Sequence, residues 1–318
     1  MNPIGGYFEL ELPTRTEYHK KAIHLNTGRN AFEYILRAKG FKKVHLPYYT
    51  CNVMLEPIHK LNLEYEFYHI DKNFWPLINF STLKRESVFV YTNYFGMFND
   101  HIKDLSNICK NLIIDNSQAF FSEPIQAIDT FYSPRKFFGV PDGAYLYTDV
   151  LIENKLDIDI SFQRFKHLLG RIDLGAEQFF TSFKNSDLLL AGQPIKTMSI
   201  LTQRILESID YHAISIKRQN NFVLLHNALK ETNQFKFKTI DKFKPMAYPF
   251  LVDNGEELRN NLIENKIFIP TYWPNVIAWT KKNSFEYYLT KNLIAIPVDQ
   301  RYDINEMKSI VKIIKNYI

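Results

Sequence analysis

The chain reads as an α/β protein: a mostly parallel, doubly wound sheet followed by a smaller C-terminal α+β unit. Three observations predict this. Short apolar runs between residues 25 and 150 alternate with helical patterns, as in parallel strands joined by crossover helices. The run Leu112-Ile113-Ile114 is unbroken by polar residues and stops at an acid, which is how a strand buried on both faces reads. Beyond residue 198 the pattern turns to long helical periodicity, then to strand and helix in alternation. The 318 residues can bury a large core, and we place a large domain at 1–200 and a small one at 201–318.

Composition narrows the classes. Hydrophobic residues make up 46% of the chain and aromatics 15%, which excludes a disordered protein. The formal charge of +5 comes without a long basic block; Lys42-Lys43 and Lys281-Lys282 are short and isolated, so no nucleic-acid partner is expected. Cys51 and Cys109 are the only cysteines and form no metal or redox motif, so a reducing compartment and no metal site are expected. No apolar run reaches the roughly eighteen residues that a membrane helix needs. Residues 1–10 lack the basic and apolar regions of a signal peptide. The expected location is the cytoplasm, away from membranes.

Taken in order, Tyr7 to Leu12 alternates and fits a short strand or an extended arm. Asn26-Thr27-Gly28-Arg29-Asn30-Ala31 opens a helix with apolar positions at Ala31, Phe32, Ile35 and Leu36. A glycine at a helix start lets backbone N–H groups converge on an anion, and Arg29 would add a charged fork. A plain Asn or Thr N-cap fits as well. Val44 to Leu46 is a strand leading into Pro47-Tyr48-Tyr49-Thr50-Cys51, and His45 within it fits a core histidine. Leu63 to Ile70 and Ser87 to Tyr91 are further strands, the second followed by Thr92-Asn93-Tyr94-Phe95-Gly96. Asp104 to Lys110 fits a short helix.

Asp115 then stands at the carboxyl end of its strand, the end at which open α/β sheets bind ligands. Lys136 lies before the next strand, Tyr145-Leu146-Tyr147. An acid at one strand end and a lysine beside the next can meet over one small ligand. The chemistry that needs this pair is that of pyridoxal 5′-phosphate (PLP): lysine forms the Schiff base and the carboxylate keeps the pyridine nitrogen protonated. Two plainer readings stand beside it. Asp115-Asn116-Ser117-Gln118 fits a helix capping box, and Lys136 fits a surface lysine in a turn.

These residues resemble the DegT/DnrJ/EryC1/StrS family of PLP-dependent sugar aminotransferases, which have the fold of the aspartate aminotransferase superfamily. The resemblance runs over nearly the whole chain. The family's acid, two residues, then Gln-Ala is matched by Asp115 and Gln118-Ala119; its lysine before a Gly-rich turn is matched by Lys136 and Pro141-Asp142-Gly143-Ala144. The resemblance implies that Lys136 is catalytic, that Asp115 pairs with the ring nitrogen and that Gln118 lies near the ring hydroxyl. The family's phosphate segment Ser-Gly-Thr-x-Ala is matched at Gly28 and Ala31, which assigns Gly28, Arg29 and Asn30 to the phosphate. Phe131 stands where the family has Ser five residues before the lysine. Ser133, at the Ser-x-x-Lys spacing of other aminotransferases of this fold, is expected to take that role. Cys51 stands where the family has an aromatic over the ring, so Tyr49 or Tyr48 is expected to stack instead. Asn93 replaces a His under the cofactor, and its amide can bond the ring hydroxyl.

Phe162 to Leu190 reads as helical, and Gly192-Gln193-Pro194 as a boundary. The resemblance implies a homodimer in which this segment reaches the partner's site, here through Gln193 and Lys196. Met198 to Leu229 fits one or two long helices. The small domain then alternates strand (Ala247 to Val252), helix (Gly255 to Asn265), strand (Ile267 to Ile269) and helix (Ile304 to Ile318). Tyr272 and Trp273 lie in a loop that the family turns toward its substrate. Arg301 is a candidate for a substrate phosphate or carboxylate, with a structural salt bridge as the alternative. The expected activity is amino transfer to a nucleotide-linked keto-sugar, with an amino donor such as glutamate, in polysaccharide or glycoconjugate biosynthesis. A small keto acid as acceptor, or a degenerate relative that binds without turnover, are the alternatives. Lys136 argues against the family's dehydrating branch, which has His there.

Overall fold

An apolar run with no polar face has to be covered on both sides, and in the computed structural model every residue of Ser87–Thr92 and of Leu112–Asp115 is buried. The structure describes residues 4–237 and 244–318. Its strands are β1 (Ile23–Leu25), β2 (Lys43–Pro47), β3 (Glu64–Ile70), β4 (Pro76–Leu77), β5 (Ser87–Thr92), β6 (Leu112–Asp115), β7 (Asp129–Tyr132), β8 (Ala144–Tyr147), β9 (Ala247–Leu251) and β10 (Leu293–Pro297). The first eight form one sheet in the order β1-β8-β7-β6-β5-β2-β3-β4. Strands β7, β6, β5, β2 and β3 are parallel; β8, β1 and β4 join antiparallel at the edges. The expected mostly parallel sheet is thus present. Its winding reverses between β2 and β5, and such a switch point is where this class of sheet binds ligands. Tyr48-Tyr49, Asn93 and Asp115 follow or end the strands there.

Side chains along a strand point to opposite faces. Ile113 and Phe131 therefore face the helix Gly28–Lys39, in one core with Phe32, Ile35, Val88 and Val90. Ile114 and Tyr132 face the other way, into a core shared with Phe222, Leu225, Phe250 and Ile296 of the C-terminal part. Asp115, two residues after Ile113 and paired in register with Phe131, falls on the helix side.

Several expected elements are in place with shifted ends. Phe162 to Leu190 holds the helices Lys166–Leu174 and Phe180–Leu188, and Met198 to Leu229 holds Ile200–Glu207 and Tyr211–Leu229. The helix before β6 is Asn99–Ile108, starting earlier than expected. Tyr7 to Leu12 forms no strand and lies as a largely exposed arm. Ile267 to Ile269 is not a strand either. Lys266 takes a left-handed φ of 62° and the Ile267 N–H donates to the Leu262 carbonyl at 2.8 Å, so this segment closes the helix Gly255–Glu264. The partner of β9 is instead β10, antiparallel to it. Among the described residues no helix is long and apolar enough to cross a membrane.

Candidate active site

Asp115 is followed by a turn, not by a helix. Its Oδ1 accepts the Ser117 N–H at 2.8 Å, and no helix forms between β6 and β7, so the capping-box reading fails. The other carboxylate oxygen takes no hydrogen bond from the described residues, although Asp115 is buried. Ser117 also reaches the lysine: Lys136 Nζ donates to Ser117 Oγ at 3.2 Å. One serine therefore ties acid and amine together. Lys136 itself is exposed, on the short 3-10 turn Pro134–Lys136 between β7 and β8.

The helix Gly28–Lys39 starts against this turn. A Cβ on Gly28 would lie 3.9 Å from Ser133 Cβ and equally far from the Phe131 ring, so the helix start, Ser133 and the end of β7 are neighbours. Thr27 caps the helix, its hydroxyl accepting the Asn30 N–H at 3.1 Å. The N–H groups of Gly28 and Arg29 lie ahead of the first helical bonds and stay open for an anion. Phe131 fills the core under the helix, its ring 6.0 Å from that of Phe32.

Gln118 is fully buried. Its Oε1 accepts the Phe95 N–H at 2.9 Å, while its Nε2 has no partner. A buried donor without an acceptor costs about 1–3 kcal/mol, so a group that accepts from it is missing. Phe95 is held close because Gly96, at φ +77°, brings its backbone to within Cβ contact (3.4 Å) of Ala119 Cα. The Phe95 ring meets Tyr272 edge-on at 6.1 Å, and Trp273 meets Tyr49 at 5.1 Å. The expected substrate loop thus packs on Phe95, the residue whose N–H Gln118 holds. Tyr49 is buried among Phe74, Tyr94 and Trp273 with its hydroxyl unpartnered, and burial pushes that hydroxyl well up. Tyr48 packs the opposite way, on Phe67 and His69.

Four expected contributors spend their side chains elsewhere. Arg29 pairs with Glu56 at 2.6 Å, and Glu56 also takes the Gly192 N–H at 2.8 Å, so Arg29 offers only its backbone. Asn30 belongs to the cap, bonded to Thr27 and to the Gln193 carbonyl. Asn93 gives its amide to Asn99, Asn116 and Ser122 and accepts the Phe98 N–H, which leaves nothing for a ring hydroxyl. Arg301 forks onto Asp299 at 2.7 and 2.8 Å, the salt-bridge alternative. Burial raises the Asp299 carboxyl, but the bonds from Arg301 outweigh it and hold the group below the usual range. Gln193 and Lys196 pack on their own chain, near Asn30 and Asp159.

The departure Pro141-Asp142-Gly143-Ala144 has a structural reason. Fully buried Asp142 accepts the Ser199 N–H at 3.0 Å and the Ser199 and Thr202 hydroxyls, so it holds Ser199, the N-cap of the helix Ile200–Glu207, and burial raises its carboxyl above the usual range. Gly143 sits at φ +114°, where a Cβ would stand 3.1 Å from Pro134 Cγ; only glycine fits beside the lysine turn.

Three residues were not anticipated: Ser117, Arg218 and Gln300. Arg218, on the buried face of Tyr211–Leu229, has its guanidinium pulled to about 10 by burial. A lone arginine at helical spacing with Tyr211, Phe222 and Leu225 was the available signal. Among the described residues no group of His, Cys, Asp and Glu could hold a metal ion.

The residues present fit PLP. The open Asp115 oxygen suits a protonated pyridine nitrogen, the orphaned Gln118 Nε2 suits a ring oxygen, the Gly28 helix start with Ser133 suits a phosphate, and Lys136 Nζ is within reach of Ser117.

No protein-family model and no curated protein matches the chain. Solved structures do match. S. venezuelae DesV, in complex with a ketimine intermediate, is 12% identical with a TM-score of 0.66, covering 93% of this chain and 84% of that one. The sugar aminotransferase CalS13 from Micromonospora echinospora is 12% identical with a TM-score of 0.65, covering 94% and 88%. A DegT DnrJ EryC1 StrS aminotransferase from Brucella abortus is 13% identical with a TM-score of 0.60, covering 93% and 85%. The chain has the fold of these enzymes.

Proposed function

We propose that this chain is a PLP-dependent sugar aminotransferase of the DegT/DnrJ/EryC1/StrS type, and that it transfers an amino group to a nucleotide-linked keto-sugar. The observation that carries the proposal is the junction at Ser117, which takes the Asp115 carboxylate on its N–H and the Lys136 amine on its hydroxyl. The fold shared with DesV and CalS13 supports it. PLP, when bound, supplies an electron sink for the carbanion that amino transfer requires. Lys136 would be its attachment point and the base that carries the proton, with Ser117 Oγ holding Nζ in place. Asp115 would offer its open carboxyl oxygen to the ring nitrogen. The Gly28 and Arg29 N–H groups and Ser133 would hold the phosphate. Gln118 would donate from Nε2, and Tyr272 and Trp273, the latter backed by buried Tyr49, would form the substrate side.

The substrate is tested with the protein loaded as pyridoxamine phosphate and offered a panel of nucleotide keto-sugars and 2-keto acids. A nucleotide keto-sugar should restore the pyridoxal absorbance. Recovery with only the amino donor's own keto acid would remove the sugar from the proposal.

We also propose a homodimer. Ile160, Phe162, Ile172, Phe180 and Leu188 are exposed in the segment between β8 and the helix Ile200–Glu207, with Ile172 at 81% and Ile160 at 72%. Apolar exposure clustered in one segment marks an association surface. Light scattering at micromolar concentration should give twice the mass of one chain. A fully active monomer would contradict this.

A further inference from the structure

We propose that Arg218 and Gln300 are positioning residues for Lys136: together they hold the carbonyl of Phe137, the next residue in the chain, and so set the turn from which the lysine reaches Ser117. This rests on the role given to Lys136 above. The Phe137 carbonyl accepts from Gln300 Nε2 at 2.7 Å and from Arg218 Nη2 at 3.3 Å, which occupies both its lone pairs. Arg218 Nε donates to Gln300 Oε1 at 3.0 Å and closes the ring of bonds. The guanidinium also lies 4.7 Å from the centre of the Phe137 ring, and its Nη1 holds the Pro245 and Met246 carbonyls at 3.2 Å.

A structural tie alone does not account for this arrangement. Arg218 is 1% exposed and none of its hydrogen bonds goes to a carboxylate, so a cation is buried at a cost that an apolar contact would avoid. The turn that it grips is also held by Arg135 on Asp187 at 3.0 Å and by the buried rings of Phe137 and Phe138 against Phe120 and Phe121, but none of these contacts reaches the Phe137 carbonyl. Phe137 and Phe138 N–H both donate to the Pro134 carbonyl, while the exposed Lys136 side chain has Ser117 as its hydrogen-bond partner. Gln300 is itself placed from the same helix, where Asn221 Nδ2 holds the Val298 and Tyr302 carbonyls on either side of it. The helix Tyr211–Leu229 and the loop after β10 thus act on the reactive amine through a single carbonyl.

The test uses the full chain freed of cofactor, as wild type, Gln300→Leu and Arg218→Lys. Lysines are reductively methylated with formaldehyde, and Lys136 is followed by peptide mass with the other lysines as internal references. In a parallel arm PLP is added and its capture on Lys136 is timed by borohydride trapping. Gln300→Leu keeps the volume and removes both bonds. Lys136 methylation should then accelerate several-fold relative to the reference lysines while PLP capture slows about tenfold or more, since a displacement of order 1 Å costs up to ~10²-fold. Arg218→Lys, which keeps the charge and loses the fork, should fall between. Unchanged rates in both arms overturn the proposal even if the variant melts earlier, because a purely structural bond would lower the melting temperature alone. Should Gln300→Leu not fold, Gln300→Asn, one methylene shorter, is read in the same way. If wild-type Lys136 does not capture PLP, the functional proposal fails, and the formaldehyde arm alone decides the positioning role: acceleration supports it and no change overturns it.

Discussion

Replacing Lys136 with alanine should stop amino transfer while leaving the fold alone. The side chain is exposed and its hydrogen bond goes to Ser117, so the substitution removes no packing and stability should move by less than about 0.5 kcal/mol. The rate should fall by at least ~10²–10⁴-fold, the range that a positioned acid–base group supplies, before the loss of the attachment point is counted. Lys136→Arg should be equally inactive, because a guanidinium keeps the charge but does not give up its proton. Single-turnover kinetics with glutamate, beside a thermal melt, measures both quantities. A variant that turns over at the wild-type rate would return Lys136 to an ordinary lysine of a surface turn.

Asp115→Asn should slow the first half-reaction sharply with the fold intact. The amide oxygen can still accept the Ser117 N–H, so the turn after β6 is kept and only the charge facing the ring nitrogen is lost. A charge-assisted bond is worth roughly 1.5–3 kcal/mol, which corresponds to a loss on the order of tenfold to a hundredfold as the least effect. Asp115→Ala should in addition destabilise the chain, because the buried Ser117 N–H would lose its acceptor. The contrast between the two variants separates the turn from the charge. A wild-type rate in Asp115→Asn would leave Asp115 with the turn alone.

What the sequence made legible was local. The helix start at Thr27-Gly28, the buried β6 ending in Asp115 and the strand β8 that follows the Lys136 turn depend on neighbouring residues, so pattern and punctuation reveal them. β7 escaped notice because it is four residues long and opens on a polar Asp129-Thr130, and β10 because Pro297 closes it. The expected role of Arg29 failed for another reason. Its partner Glu56 sits on a different helix, and Glu56 is in turn shared with Gly192, a pairing that no local spacing encodes. Asn93 is absorbed the same way by Asn99, Asn116 and Ser122. The largest omission, the grip of Arg218 and Gln300 on Phe137, joins segments 81 and 163 positions away from it. Contacts of that range appear only once the two cores close on the sheet.

The central claim, that Lys136 is the residue to which the cofactor attaches, is tested most directly by trapping it. The wild-type chain is incubated with PLP, reduced with borohydride, digested and mapped by peptide mass. The added mass should fall on the peptide that holds Lys136, and addition of an amino donor before reduction should empty it. A stable adduct on any other lysine, or none at all after loading, would contradict the account.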